Sequence, residues 1–89
     1  MERRTEVRHR LVAVLGMVED RMTAEQGTFI RELIHGDEWG IALEQIADVL
    51  AEEGAALRDD ERDQLLALNR RMGMGDRVPS ALSLCPRMS

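Results

Sequence analysis

Apolar positions along most of this chain follow the spacing of helices that bury one side. Val7, Leu11, Val14, Leu15, Val18 and Met22 mark a single stripe at the i, i+4, i+7, i+8 spacing, which predicts a first helix over roughly residues 3–21. Thr23 opens "TAEQ", in which the Thr hydroxyl can accept from the backbone N–H three residues on while Gln26 reaches back, so a second helix is predicted from about Ala24 to His35. Its apolar residues, Phe29, Ile30, Leu33 and Ile34, are expected to be buried. Gly36 is placed to take the left-handed conformation that ends this helix, and Asp37 to cap the next one.

In the third helix, up to Gly54, a rotation of about 100° per residue gathers Trp39, Leu43, Ile46 and Leu50 on one side, with Ala42, Ala47 and Val49 at the margins. This angle puts Trp39 in the core. Glu38, Glu44, Gln45, Asp48 and Glu52 take the opposite side. The acids of "AALRDDERD" favour the positive end of a fourth helix, whose stripe is Leu65, Leu68 and Met72 and whose end is marked by Gly73 and Gly75. Beyond Gly75, "DRVPSALSLCPRMS" has two prolines and no sustained period. It reads either as a loose tail or as an arm packing Val78, Leu82 and Leu84 onto the rest. The predicted architecture is all-α: a small bundle of four helices over residues 1–75 and an irregular C-terminal tail over 76–89.

One position breaks the pattern. Ile41 projects among the carboxylates of the third helix, where an isolated helix has no packing reason to keep a large apolar group. Either the C-terminal tail covers it or a partner molecule does.

Composition narrows the choice of partner. An 89-residue chain is one domain, with aliphatic residues supplying most of its core because it holds one Trp, one Phe and no Tyr. The net charge of -5 is uneven: residues 1–22 hold five Arg against four acids, residues 23–64 three Arg against twelve, and residues 65–89 four Arg against one Asp. The middle segment repels phosphate and attracts a basic surface, so a positively charged protein is the expected partner and nucleic acid is not. A lone Cys85 allows neither an internal disulfide nor a cysteine-based zinc site. No apolar run approaches the ~20 residues that span a bilayer, and "MERRTEVRHR" is not a secretory leader, so a cytosolic protein acting away from membranes is expected.

Candidate chemistry is sparse. His9 and His35 fall on different predicted helices and read as solvated or helix-terminal. There is no H-E-x-x-H, P-loop or glycine-rich dinucleotide turn. The acids Asp59, Asp60, Glu61 and Asp63 read as a solvated face, because nothing in their spacing makes the pocket that acid–base catalysis needs. "ALEQIADVLAEEG" resembles the opening of a helix-turn-helix, but acids follow it where a recognition helix would meet phosphates. No catalytic, cofactor-binding or metal-ligating residue is therefore assigned. The expected partner-binding residues are Asp37, Glu38, Ile41, Glu44, Gln45, Asp48 and Glu52. A self-associating helical adaptor is the alternative to capture of a different protein.

The corner itself, "LIHGDEWGIALEQIADVL" at residues 33–50, resembles the MafI family of bacterial immunity proteins, small helical antitoxins encoded beside polymorphic toxins. A helix ending in His-Gly, an acidic turn, Trp-Gly and then "IALE" carry the likeness, and the helical layout and length are similar. In that pattern Glu commonly follows the glycine directly, whereas here Asp37 stands between Gly36 and Glu38. The resemblance implies an inhibitor that binds and neutralises a cognate toxin, without a cofactor.

Overall fold

The computed structural model describes residues 3–88 and is all-helical among them: α1 (Arg3–Val18), α2 (Ala24–His35), α3 (Trp39–Glu52), α4 (Asp59–Arg71) and α5 (Arg77–Leu82), with a 3-10 turn, Glu19–Arg21, after α1. The first four are the helices the periodicity predicts. The fifth lies in the segment read from sequence as irregular.

The stripe of α1, namely Val7, Leu11, Val14, Leu15 and Val18, is buried against Ile30 and Ile34 of α2, Leu43, Ile46 and Leu50 of α3, and Leu65 and Leu68 of α4 in one core. Fully burying such an aliphatic side chain contributes roughly 1.5–3 kcal/mol, so this shared core supplies most of the folding drive. Val78, Leu82 and Cys85 belong to the same core, which makes α5 part of the bundle. Leu84, in contrast, is 68% exposed and lies outside this core, unlike the reading in which it packs the arm onto the bundle.

Three of the four long helices end alike. At each, the N–H two residues past the cap reaches back to the carbonyl five residues earlier: Glu38 to Leu33 at 2.8 Å, Ala55 to Leu50 at 3.0 Å and Met74 to Asn69 at 3.1 Å. This closure requires one residue with positive φ. Gly54 (φ 61°) and Gly73 (φ 67°) supply it after α3 and α4, but after α2 the residue is Asp37 (φ 62°), while Gly36 has an ordinary φ of -84°. The expected register at this corner is thus shifted by one. The left-handed residue is an aspartate, which adopts that conformation at a cost of about 1–2 kcal/mol where glycine would not.

Side chains staple the helices where the backbone cannot. Glu61, in the acidic run expected to be solvated, is 1% exposed. Its carboxylate accepts from both terminal nitrogens of Arg21, at 2.5 and 2.7 Å, and from the Arg58 backbone N–H at 2.9 Å. The Arg21 hydrogen bonds hold the Glu61 carboxyl below its ordinary range, against the opposing effect of burial. Arg21 also donates to the carbonyls of Met17 and Ala56, tying α1 to the loop before α4. A buried carboxylate satisfied this completely is a structural clamp and not a catalytic acid.

The C-terminal segment is held in the same way. Arg62 of α4 donates to the Leu82 and Cys85 carbonyls at 2.7 Å each, closing the end of α5. Leu57 donates to the Pro86 carbonyl at 2.9 Å and accepts from Met88 N–H at 2.8 Å, so the chain end is stitched beside the loop before α4.

Candidate interaction surface on the third helix

The outward side of α3 is divided by α5. Its inward arc, Ala42, Leu43, Ile46, Ala47, Val49 and Leu50, is buried. On the opposite side, Arg77 at the start of α5 pairs with Asp48 at 2.7 Å and approaches Glu44 at 3.8 Å. The hydrogen bond to Asp48, with the charges of Asp48 and Glu44 behind it, raises the pKa of Arg77. The side chains of Glu44 and Asp48 keep only about a third of their surface, 31% and 27%. Two of the four acids on the expected flank therefore share the single positive charge of Arg77 on the chain's own fifth helix.

Ile41 escapes this cover. It is 51% exposed, although α5 lies along the adjacent strip of the same helix. With Gln45, Asp48 and Glu52 it forms a line at the i, i+4, i+7, i+11 spacing, one straight strip of a helix surface. Gln45 is half-buried, and Glu38 and Glu52 are exposed, with no ion-pair partner among the described residues. The strip thus carries an exposed apolar residue, with one uncompensated carboxylate, Glu38, three residues before it, the Arg77-paired Asp48 two turns on, and a second uncompensated carboxylate, Glu52, about three turns on.

Asp37 stands apart. Its expected role as the cap of α3 is not observed: the cap position is Glu38, which makes no side-chain capping bond. Asp37 instead accepts from Arg8 at 2.6 Å and Arg4 at 3.2 Å, joining the α2–α3 corner to α1. The residues expected to act together therefore fall into three groups: Asp37 toward α1, Glu44 and Asp48 toward Arg77, and Glu38, Ile41, Gln45 and Glu52 toward solvent.

Two aromatic residues lie elsewhere than expected. Phe29 is 47% exposed. The buried line of α2 runs through Gly27, Ile30 and Ile34, with Gly27 lying beside the Arg31–Glu19 ion pair, where a Cβ would make ordinary contact at 3.6 Å. An apolar count gives no weight to a glycine, so the pattern could not show that α2 turns this edge inward and Phe29 outward. Trp39 is half-buried and not at the core's centre: it packs on the core, donates from its indole N–H to the Ile34 carbonyl at 3.1 Å, and carries the Arg4 guanidinium 5.5 Å from its ring centroid. As the first residue of α3 it sits at the edge of the core, with Arg4 of α1 over its ring.

Among the described residues no group of three His, Cys, Asp or Glu side chains converges as a metal site would, and no helix is long and apolar enough to cross a membrane. No protein-family model, curated protein or solved structure matches the chain.

Proposed function

We propose that this chain is an immunity-type inhibitor: it binds a basic toxin protein stoichiometrically, in the cytoplasm, through the outward strip of α3. One observation carries this reading. Ile41 is a large apolar side chain, half exposed, on the outward side of a helix whose Glu38 and Glu52, near its two ends, have no charge partner among the described residues. A large apolar side chain that docking would take out of water can anchor an interface, and uncompensated carboxylates speed encounter with a basic surface. The resemblance of residues 33–50 to MafI immunity proteins points to the same role. It involves no enzymatic step.

The test is coexpression with a toxin domain encoded next to this gene. An equimolar complex and restored growth are expected, with an association rate that falls steeply as salt rises. Ile41→Asp should abolish the rescue while the variant still folds. Growth restored equally by that variant would remove the strip from the mechanism.

Self-association is the second reading, favoured by Phe29 and Ile41, both about half exposed, on consecutive helices. Sedimentation of the isolated chain separates the two, since a tight dimer that dissociates on Ile41→Asp would assign the strip to a second copy.

A further inference from the structure

The rim of Trp39 holds a different kind of surface. Two open cavities meet there. One, of about 290 Å³, is lined by Arg4, Thr5, Arg8, His9 and Trp39. The other, of about 340 Å³, shares Arg4 and Trp39 and adds Val7, Asp37, Gly40, Met72 and Met74. The first is mostly polar and basic and the second mostly apolar. Each is about the size that takes one or two side chains of a ligand. A Cβ added at Gly40 would already touch Met74 Sδ at 3.9 Å, so the absence of a side chain there keeps the apolar cavity open.

The charges in this site do not balance. Arg4 and Arg8 share the single carboxylate of Asp37. A guanidinium offers five N–H donors, so both arginines have donors left for a second carboxylate. Beside them, the two thioethers are unbranched and pliable, and such side chains adapt to varied apolar partners.

We infer that the Trp39 rim binds an acidic, apolar peptide segment of a partner protein. A carboxylate of that segment accepts from Arg4 and Arg8 alongside Asp37, and a neighbouring large apolar side chain enters the cavity between Trp39, Met72 and Met74. Among its lining residues this surface has two guanidinium groups to one carboxylate, the reverse of the balance along the Ile41 strip. The inference does not rest on the toxin reading.

The single Trp makes the site report on itself. Titration of the whole chain with the peptide acetyl-Gly-Asp-Leu-Glu-Phe-Gly-amide should give a saturable change in Trp39 fluorescence. The form with Asn and Gln in place of the two acids should bind about tenfold more weakly, since a charge-assisted hydrogen bond is lost. The form with Ala in place of Leu and Phe should weaken comparably. In the protein, the double variant Arg4→Gln with Arg8→Gln should remove the preference for the acidic peptide, and Gly40→Leu, which fills the apolar half, should remove the preference for Leu and Phe. Far-UV circular dichroism of each variant establishes that it folds. No saturable change at millimolar peptide, equal binding of the neutral peptide, or undiminished binding by the Arg4, Arg8 variant would each overturn the inference.

Discussion

Replacing Ile41 by Gln isolates the question on which the proposed function turns, because Gln keeps the length of the side chain, favours helix and adds no charge. At 51% exposure about half of the residue is out of water. Fully burying an isoleucine is worth roughly 1.5–3 kcal/mol, so the folded state loses about 1 kcal/mol, offset by a few tenths from the better helix propensity of Gln. Ile46, one and a half turns further along α3, is 0% exposed, and Ile46→Ala should cost about 2–5 kcal/mol because a cavity remains. Equilibrium urea unfolding followed by far-UV circular dichroism measures both, with the slope checked for constancy. Against a toxin partner the order should reverse, with Ile41→Gln weakening the complex at least tenfold and Ile46→Ala leaving affinity nearly intact in the folded fraction. If Ile41→Gln costs as much stability as Ile46→Ala, Ile41 is a core residue, and the case for a docking strip fails with it.

Three further outcomes follow from the clamps. Glu61→Gln leaves the part-buried Arg21 with only the exposed Asp20, at 3.0 Å, as counter-charge and removes a charge-assisted pair of hydrogen bonds, so it should destabilise the fold by about 1.5–3 kcal/mol in the same urea assay. Because Arg21 depresses the Glu61 pKa in the folded state, this stabilisation is full above the ordinary carboxyl value of 4.5 and is lost as pH falls through the depressed folded value; an acid titration of stability should therefore be flatter in the variant, and parallel curves would refute the assignment. Asp37→Gly relieves the left-handed backbone but loses the exposed pairs with Arg4 and Arg8, so its stability should lie within about 1 kcal/mol of the parent and improve relative to it as salt rises, whereas Asp37→Ala should be the worse variant at every salt concentration. Arg62→Gln removes a charged double hydrogen bond to the end of α5 and should speed the reaction of Cys85 with a disulfide reagent; Cys85 is buried and its thiol pKa is raised by burial, so the parent should react slowly, and unchanged kinetics would show that Arg62 does not hold this segment.

The local rules were sufficient for the helices themselves. Helical periodicity located the core faces of α1, α3 and α4, and the Thr23–Gln26 capping box is present as read, with hydrogen bonds of 3.1 and 2.8 Å. Such features involve residues three or four apart, whose relative positions are set once the backbone is helical. The exposure of Ile41 belongs partly to this class, since its angle on α3 follows from the sequence, while the failure of the tail to cover it does not.

Contacts between residues far apart in sequence decided the rest. That Glu61 is buried depends on Arg21, forty positions earlier, arriving with a guanidinium aimed at it; the same carboxylate in an isolated α4 is simply a solvated first-turn acid. That Glu44 and Asp48 have a cationic neighbour depends on Arg77, and that Asp37 pairs toward α1 depends on Arg4 and Arg8 approaching from that helix. Composition and periodicity fixed which residues were acidic and which side of each helix was apolar. Which of those acids remain free to meet another molecule was set only by the packing, because a charge is compensated by whatever lies within a few ångströms of it, and chain order does not give that distance.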